Sequence, residues 1–478
     1  MSAELLIGGQ WRASRSGRVE EVRSPFDGSV VGTVPIAAPE DIEAAMEAAE
    51  RGAATWRRTP AHERMQILHR AAGLADERSP VIARTISAEN GKTITEATVE
   101  ASRSGDLIRL SAFEGTQLYG QTLPLDANRG TGFDKIGFTV RQPVGIVVAI
   151  TPFNYPALLV LHKIAPALAA GNAVILKPAR YTPLTALALA ACFVDAGLPD
   201  GVLSVLTGPG GELGDLLVSD WRVRKVSFTG STGVGARIAA RAGVKKLALE
   251  LGASCPVIIM PDADIELASS AVAAGGFANA GQVCISVQRV ITHPAINGDF
   301  LDALVPKVKA IRTGDPASAD TSMGTVISTS EADRVEKSIA AAAQNGARIL
   351  TGGERNGSVV EPTVVADVDP ASPFSQDELF GPAVAVSTAA DWESAITQAN
   401  GTAFGLAAGL FTSDVAGAIR AMREIDAGNI HINWTPLWRA DLMPYGGLKA
   451  SGIGKEGPRS AVAEMTEEKT VVLHGRPW

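Results

Sequence analysis

Residues 145–177 read GIVVAITPFNYPALLVLHKIAPALAAGNAVILK and contain one complete strand–helix–strand unit. The apolar run 145–150 predicts a strand, the segment from about Pro156 to Ala170 predicts a helix, and AVILK (173–177) predicts a second strand. Strands without a polar face are typical of a parallel sheet that helices cover on both sides. This stretch therefore predicts an α/β fold.

The alternation of strands and helices continues toward the C-terminus. A helix is expected from Thr182 to about Ala196, and a second α/β region from about Ala253 to Gly457. Further strands are expected at 203–206, 223–228, 256–260, 287–292 and 383–387. Because 478 residues exceed what one compact core usually contains, we expect two or three domains.

The N-terminal part of the chain has a different pattern. Residues 1–35 carry turn signals between short β-branched runs and read as a small strand-rich cap. Residues 39–115 read as helical, with one helix starting at Thr59-Pro60 and another at Ser79-Pro80, since proline favours the first turn of a helix.

Two segments lie outside the α/β alternation. Residues 120–143 read as two strands, and TVVL (470–473) reads as an isolated strand. A two-stranded excursion buries too little surface to be stable alone. We therefore expect the two segments to pair, and to pack on a partner subunit.

Composition excludes several classes of protein. A net charge of −8 argues against a nucleic-acid binder, which needs a basic face. No apolar run is long enough to cross a membrane, and no secretory signal is visible at the N-terminus. The three cysteines (Cys192, Cys255 and Cys284) form neither a disulfide framework nor a zinc spacing, so no metal is expected and a cytoplasmic location is predicted.

Cys284 lies in FANAGQVCISVQR (277–289), among small and apolar residues. Small neighbours let a substrate approach the sulfur, and a depressed pKa of the thiol would make it nucleophilic near neutral pH. The alternative is a buried structural cysteine, which is the commoner role of this residue type.

Two polar residues are candidates to assist that thiol. Asn154 follows the strand 145–150, at the sheet edge where parallel sheets bind ligands, and its amide can stabilise an oxyanion by about 2.7–4 kcal/mol. Alternatively, Asn154 caps the following helix. Glu250 ends the apolar strand of LALELGASCP (247–256), where desolvation raises the pKa of a carboxylate toward that of a general base. A surface glutamate is the alternative, although it fits poorly among leucines.

The turn FTGSTGVG (228–235) joins a predicted strand to a predicted helix. Its glycines are spaced G-x-x-G-x-G, so by itself it is weak evidence for dinucleotide binding. Backbone N–H groups at a helix start nevertheless attract phosphate. Lys177, at the end of a strand of the same sheet, can reach a ribose or a phosphate.

Seven motifs occur in one order along nearly the whole chain. Together they resemble the aldehyde dehydrogenase superfamily; they are TPFNYP, LKPA, FTGSTGVG, LELGASCP, GQVCIS, DELFGP and PYGGLKASGIGKEGP. The resemblance implies a Rossmann-like dinucleotide-binding domain (1–119 and 144–252), an α/β catalytic domain (253–457) and a small β oligomerisation domain (120–143 and 458–478). It also implies a homodimer or homotetramer.

The resemblance implies specific roles for the catalytic residues. Cys284 attacks the aldehyde carbon, Asn154 and the Cys284 backbone N–H hold the oxyanion, and Glu250 activates the water that hydrolyses the thioester. The implied cofactor contacts are Thr151, Pro152, Phe153, Lys177, Ala179, Arg180, Gly208, Gly211, Phe228, Gly230, Ser231, Gly235, Leu251, Glu378 and Phe380.

Arg180 bears on the choice between NAD and NADP. In NAD-preferring members of the superfamily this position is often Glu, which bonds the ribose hydroxyls. An arginine can instead pair with a 2′-phosphate, so we predict NADP as the preferred cofactor. The alternative is an arginine that points into solvent.

The substrate is predicted less directly. The GQVCISVQR segment and the helix with His162 resemble the branch that oxidises small anionic aldehydes, which carry phosphonate, sulfonate or carboxylate groups. Arginine binds such anions in bidentate fashion, so an anion pocket is expected from Arg109, His162, Arg289 and Arg439. The alternative is that Arg289 and Arg439 are salt-bridged structural residues and that His162 is a helix histidine with satisfied hydrogen bonds.

Four other functions remain as alternatives. Trp434 and Trp438 favour an aromatic aldehyde. A cysteine acyl-enzyme can also act as an esterase or pass its acyl group to coenzyme A, although Glu250 favours water as the acceptor. A binding protein without redox activity is expected to have lost Cys284, Asn154 or Glu250, and the chain keeps all three.

Overall fold

The structure, a computed structural model, describes residues 3–475. Residues 1–2 of the predicted dinucleotide-binding domain and 476–478 of the predicted oligomerisation domain therefore lie outside the described residues.

The strands of the described residues are numbered in chain order. They are β1 Leu5–Ile7, β2 Gln10–Arg12, β3 Val19–Arg23, β4 Val30–Pro35, β5 Thr122–Leu123, β6 Lys135–Pro143, β7 Ile146–Ile150, β8 Ala173–Lys177, β9 Leu203–Val205, β10 Val223–Thr229, β11 Lys246–Glu250, β12 Cys255–Ile259, β13 Val287–Thr292, β14 Arg348–Thr351, β15 Arg355–Asn356, β16 Val359–Val360, β17 Thr363–Ala366, β18 Ala383–Thr388, β19 Phe404–Gly405, β20 Ala407–Phe411, β21 Asn429–Ile432, β22 Leu448–Lys449, β23 Gly452–Ile453 and β24 Thr466–His474.

The α-helices are numbered in the same way. They are α1 Pro39–Trp56, α2 Ala61–Asn90, α3 Ile94–Ser102, α4 Ser104–Glu114, α5 Leu158–Ala169, α6 Pro183–Asp195, α7 Gly210–Ser219, α8 Thr232–Ala242, α9 Ile265–Phe277, α10 Pro294–Lys309, α11 Thr329–Gln344, α12 Pro373–Gln376, α13 Trp392–Asn400, α14 Val415–Glu424 and α15 Pro458–Glu464. Short 3₁₀ helices occupy Leu125–Ala127 and Ala278–Gly281.

The first sheet has eight strands in the order β2-β1-β9-β8-β7-β10-β11-β23. Its centre, from β9 to β11, is parallel, and the short edge strands β1 and β23 are antiparallel to it. Every residue of β7 and β8 is buried, because α2, α5 and α6 cover one face of the sheet and α1, α7 and α8 cover the other. The predicted parallel α/β arrangement is confirmed.

The second sheet has seven strands in the order β14-β17-β18-β13-β12-β20-β21. All its strand pairs are parallel except the pairing of the edge strand β14 with β17. Helices α9, α10 and α11 cover one face, and α13 and α14 cover the other. Both sheets are thus mainly parallel, and helices cover both faces of each.

A third sheet has the order β24-β6-β5. Strand β24 runs antiparallel to β6, from Thr466 opposite Pro143 to His474 opposite Lys135. The expected pairing of TVVL (470–473) with the 120–143 segment is therefore confirmed. The sheet keeps apolar side chains exposed, including Ile136 and Leu473.

One predicted helix boundary is wrong. A helix starts after Pro60 as expected, but Ser79-Pro80 does not begin another, because α2 continues through Pro80 to Asn90. Leu68 and Ala75 before Pro80, and Ile86 after it, belong to one core. Burial of that continuous apolar face outweighs the roughly 3 kcal/mol cost of an internal proline.

Candidate active site

The cofactor-binding candidates of the first sheet lie along one edge, where its parallel strands end. Thr151, Pro152 and Phe153 follow β7, and Lys177 ends β8 with Ala179 and Arg180 just after it. Gly208 and Gly211 follow β9, and Leu251 follows β11. Phe228 lies in β10, Gly230 and Ser231 form the turn after it, and Gly235 lies in α8. The carboxyl edge of an open parallel sheet is where such folds bind dinucleotides.

The turn regions after β9 and β10 fit a bound dinucleotide. A Cβ added at Gly211 or Gly233, in the first turns of α7 and α8, meets nothing within 4 Å. The hydroxyl of Ser231, the N-cap residue of α8, makes no capping bond. The Thr151 hydroxyl oxygen is buried and has no partner among the described residues. Open helix N-termini with unpaired donors are suited to pyrophosphate.

Lys177 and Arg180 lie at the carboxyl end of β8, on the same edge of the first sheet. Lys177 is buried, and its Nζ donates to the carbonyl of Pro178 at 2.9 Å. Burial lowers the pKa of Lys177 to about 8. Arg180 is largely exposed and forms an ion pair with Glu20 of β3. The Arg180 guanidinium is thus paired with Glu20, while its side chain stays largely exposed to solvent.

Glu378 and Phe380 lie in the loop between α12 and β18. Glu378 accepts a hydrogen bond from the Ala253 N–H at 3.1 Å, and burial raises the pKa of its carboxyl to about 7. The rings of Phe380 and Phe153 meet edge to face, with centroids 5.9 Å apart. The loop thereby approaches the carboxyl edge of the first sheet.

A strained turn carries the nucleophile candidate. Asn279 and Ala280 both have left-handed backbone conformations, with φ of 48° and 52°. The Asn154 side chain donates to the Gln282 carbonyl at 2.8 Å, and the Asn279 side chain donates to the Asn154 carbonyl at 3.1 Å. One N–H of the Asn154 amide is thus held by the turn, which leaves its second N–H for a ligand.

Asn154 does not cap the following helix. The Glu100 carboxylate accepts from the backbone N–H groups of Ala157 and Leu158, and so caps α5. The Asn154 Oδ1 accepts from the Tyr155 N–H at 3.1 Å, which lies before α5, so Asn154 contacts the segment that leads into the helix while Glu100 caps the helix itself.

Cys284 lines a cavity of about 90 Å³. The cavity wall also contains Arg103, Asn154, Tyr155, Leu158, Leu159, His162, Val283, Ile285, Leu437, Arg439, Asp441 and Tyr445. The Cys284 Sγ lies 2.8 Å from the hydroxyl oxygen of Tyr445. Burial raises the pKa of the thiol to about 12, so the depressed pKa expected from the sequence is not found. The reason is that burial removes the water that would otherwise stabilise the charged thiolate.

Glu250 ends β11 and is buried, and both its carboxylate oxygens lack hydrogen-bond partners among the described residues. Burial, and next the charge of Glu456, raise the pKa of Glu250 well above its ordinary value. A Cβ added at Gly446 would lie 2.6 Å from Glu250 Oε1, so the carboxylate rests against the Tyr445-Gly446 segment. This environment is the one expected for a general base.

A network of buried charges links Glu456 to the cavity. Glu456 accepts from Lys163 at 2.8 Å and from Arg439 at 3.2 Å. Arg439 also lies 3.4 Å from His162, whose pKa is lowered to about 4 by burial and by the Arg439 charge. His162 is therefore neutral near pH 7.

Asp441 joins the other end of the network. It pairs with Arg103 and lies 3.6 Å from His162. Burial acts to raise the pKa of Asp441, but bonds from His162 and Arg103 hold it below its ordinary value. The Arg439 Nε is buried and has no hydrogen-bond partner in the part of the chain that the structure describes.

Two of the four predicted substrate residues are not in the cavity. Arg109 is partly exposed on α4 and pairs with Asp76 and Asp106. Arg289 is buried, and its guanidinium donates to the carbonyls of Ser254, Gln398 and Ala399, because it caps the end of α13. The sequence prediction is wrong for both residues. His162 and Arg439 do line the cavity.

Sequence reasoning missed Arg103, Asp441 and Tyr445. Arg103 lies six residues before Arg109, directly before α4, and only the direction of α4 shows which arginine faces inward. Asp441 and Tyr445 lie in the segment RADLMPYGG, which carries no periodicity that indicates orientation. The motif that contains Asp441 and Tyr445 was the only feature of the sequence that pointed to these two residues.

The fold and the site define a dinucleotide-dependent enzyme with a cysteine beside an amide donor. A model of the aldehyde dehydrogenase family matches residues 11–471. The chain is 40% identical over 470 residues to 3-sulfolactaldehyde dehydrogenase of Priestia aryabhattai, covering 98% of each chain. It is 36% identical over 471 residues to vanillin dehydrogenase of Corynebacterium glutamicum, covering 98% of this chain and 96% of the relative.

A solved structure is also similar. NADP-dependent glyceraldehyde-3-phosphate dehydrogenase from Bacillus halodurans, in complex with NADP, matches with a TM-score of 0.97 and 34% identity over 99% of each chain. The chain therefore belongs to the aldehyde dehydrogenase family and is an NAD(P)-dependent oxidoreductase. Similar solved structures include both NADP- and NAD-dependent members.

Among residues 3–475, no group of His, Cys, Asp or Glu side chains has the arrangement of a metal site. No helix in the same range is both long and apolar enough to span a bilayer.

Proposed function

We propose that this protein oxidises a small anionic aldehyde to the carboxylic acid, with Cys284 as the nucleophile. The observation that carries the proposal is the unpaired Nε of Arg439, beside the cavity that contains Cys284. A buried guanidinium with an unused donor is costly unless a ligand satisfies it. A carboxylate, sulfonate or phosphonate is the ligand that this donor fits best.

The charges around the cavity support an anion. Arg103 and Arg439 bring two positive charges, and Asp441 offsets one of them through its pairing with Arg103. Glu456 is already held by Lys163 as well as by Arg439. The side of the cavity that Arg439 and His162 form therefore keeps donors for a substrate anion.

The roles of the reacting groups follow from their surroundings. Cys284 attacks the carbonyl carbon, and the free N–H of Asn154 stabilises the oxyanion that forms. Bound NAD(P) supplies the hydride acceptor. Glu250, a desolvated carboxylate with a raised pKa, takes a proton from the water that hydrolyses the Cys284 thioester. The Glu250 carboxylate favours water as the acceptor of the acyl group from Cys284.

NADP is proposed as the preferred cofactor. Lys177 and Arg180 are two cations at the carboxyl end of β8, and this pair of charges suits a 2′-phosphate. The Glu20 carboxylate offsets part of that charge, so NAD is expected to bind as well. Comparable kcat/KM values for NAD and NADP would contradict a preference for NADP.

The substrates named for two of the similar proteins support an anionic aldehyde. Sulfolactaldehyde carries a sulfonate, and glyceraldehyde 3-phosphate carries a phosphate. The name vanillin dehydrogenase supports the aromatic alternative. However, Trp434 and Trp438 are 42% and 56% exposed and do not line the cavity with Cys284, which weakens that alternative.

The test compares Arg103, which directly precedes α4, with Arg109, which lies on α4. We expect Arg103→Ala to lower kcat/KM for phosphonoacetaldehyde about tenfold or more, because the Asp441 carboxylate in the cavity wall then loses its partner and repels the substrate anion. Its effect on benzaldehyde should be small. Arg109→Ala is the matched control, and it should leave both values unchanged because Arg109 faces solvent. A large preference for benzaldehyde in the parent enzyme would favour an aromatic substrate instead.

We propose residues 120–143 and 458–478 as the oligomerisation segment, residues 1–119 and 144–252 as the dinucleotide-binding domain, and 253–457 as the catalytic domain. Strand β24 supports the first assignment, since it is nine residues long and pairs on one side only among the described residues. A long edge strand with unpaired backbone N–H and C=O groups is usually covered by another element or another chain. The three free cysteines support a reducing, cytoplasmic location.

A further inference from the structure

We propose that Tyr445 is a catalytic residue, whose hydroxyl donates a hydrogen bond to the Cys284 sulfur and stabilises its thiolate. The inference rests on Cys284 being the nucleophile, as proposed above. It assigns a function to a side chain for which the motif PYGG gave no role.

The contact between the two side chains is direct. The Tyr445 Oη and the Cys284 Sγ are 2.8 Å apart, and both side chains line the same cavity. Among residues 3–475, this sulfur is the one partner that the Tyr445 hydroxyl contacts within hydrogen-bond distance. A buried phenol keeps its proton, and the hydroxyl therefore has this sulfur as the acceptor for that proton.

A cation and the backbone fix the direction of the phenol. The Arg439 guanidinium carbon lies 4.0 Å from the centroid of the Tyr445 ring. The Tyr445 backbone pairs with Glu456, through N–H···O contacts of 3.1 Å and 2.6 Å. A positive charge over a phenol ring withdraws electron density and makes its O–H a better donor. Arg439 thus strengthens the bond that the sulfur accepts.

The surroundings of Cys284 disfavour its thiolate, so a hydrogen-bond donor is needed to stabilise that charged form. Burial raises the pKa of the Cys284 thiol to about 12, and Glu378 and Glu250 add to the rise. Neither of the network cations Lys163 and Arg439 forms a hydrogen bond to the sulfur. In the described structure the Tyr445 hydroxyl is the group that favours the charged form by direct contact. No proton passes between the phenol and the sulfur: the Cys284 thiol loses its proton to solvent before the sulfur attacks the aldehyde carbon, and the phenol remains protonated.

If Tyr445 only fills space in the cavity, Tyr445→Phe should leave the pKa of Cys284 unchanged. Phenylalanine fills nearly the same volume and keeps the contact with Arg439, but it removes the donor. If the hydroxyl stabilises the thiolate, the variant raises the pKa of Cys284 by about one unit. At fixed pH this rise lowers the fraction of thiolate about tenfold. A more basic thiolate is also more nucleophilic, which offsets part of that loss, so alkylation slows about threefold.

The experiment measures alkylation of Cys284 by iodoacetamide between pH 7 and 9, without substrate or cofactor, in full-length enzyme. Peptide mass spectrometry separates Cys284 from Cys192 and Cys255, which are both buried. We expect Tyr445→Phe to slow alkylation about threefold at every pH and to lower kcat/KM. Tyr119→Phe, at an exposed tyrosine, is the matched control and should change neither value.

A rate for Tyr445→Phe equal to or above that of the parent enzyme overturns the inference, because the thiol then donates to the phenol. The chain has only four tyrosines, so ¹⁹F NMR of fluorotyrosine-labelled protein provides a second measurement if the variant folds poorly. The Tyr445 resonance should shift in Cys284→Ala and not in Cys192→Ala. Full aldehyde oxidation by Cys284→Ala would instead refute the proposed function itself.

Discussion

Glu250 and Glu456 are two buried carboxylates whose pKa values move in opposite directions. Glu456 has Lys163 and Arg439 as partners, which lower its pKa although burial acts to raise it. Glu250 has no partner among the described residues, and the negative charge of Glu456 raises its pKa further. Environments that separate two carboxylates in this way identify the base of a reaction.

Glu250→Gln tests that assignment. We expect one equivalent of reduced cofactor per active site in a burst, followed by turnover at least about 100-fold slower, because the thioester loses its base. Rapid mixing measures the burst, and mass spectrometry detects the acyl group on Cys284. Steady turnover at the parent rate would show that another group activates water.

The raised pKa of Glu250 also predicts how activity and stability change with pH. Hydrolysis of the thioester should accelerate as pH rises through the raised pKa, because only the deprotonated carboxylate acts as a base. The folded state favours the protonated form, so its contribution to stability is present below the ordinary pKa and is lost as pH rises. Glu250→Gln should therefore raise Tm relative to the parent at alkaline pH. Equal differences in Tm at pH 5 and pH 9 would contradict this.

Arg180 and Glu20 predict the cofactor preference. Arg180→Ala should weaken NADP binding about tenfold and change NAD binding little, since only NADP offers a phosphate to the guanidinium. Glu20→Gln should strengthen NADP binding, because it removes the competing carboxylate. Fluorescence titration gives both Kd values without turnover. Glu21→Gln, on the same strand but paired with Arg23, is the control.

At the scale of elements, the turn before Cys284 depends on a glycine. Gly281 has φ of +71°, and a Cβ there would lie 2.1 Å from the carbonyl oxygen of Gly381. We expect Gly281→Ala to lower the free energy of unfolding by about 2–5 kcal/mol and to abolish activity, as the Cys284 turn shifts.

Gly298, exposed in α10, is the matched control for that substitution. A Cβ there meets nothing within 4 Å, so Gly298→Ala should stabilise the protein by about 0.5–1 kcal/mol. Urea unfolding measures both variants. Similar effects of the two substitutions would show that the close approach to Gly381 does not matter.

Helix α2 shows how tertiary contacts override a local signal. Ser79-Pro80 has the form of a helix start, and only the core on both sides of Pro80 keeps the helix continuous. The strands behave differently: AVILK and VQRVIT match β8 and β13 residue for residue, because short runs rich in β-branched residues favour a strand.

At the scale of the whole molecule, the third sheet predicts assembly. Ile136 and Leu473 face each other in the β6–β24 pairing and are 61% and 55% exposed. The double substitution Ile136→Asp with Leu473→Asp should prevent the proposed oligomer from forming, because two carboxylates cannot be buried in an apolar interface. Sedimentation velocity measures the change. Val244→Asp, on a fully exposed residue elsewhere, should leave assembly intact.

The sequence by itself determined the α/β fold, the pairing of TVVL with the 120–143 segment, and the ordered motifs that contain Cys284, Asn154 and Glu250. Apolar periodicity and backbone chemistry are local properties, so they can be read along one chain. Only the tertiary structure decided that Arg103 rather than Arg109 faces the cavity, that Arg289 caps α13, and that Tyr445 touches the sulfur. The direction in which a side chain points depends on how distant elements pack, and single-chain spacing carries no record of that packing.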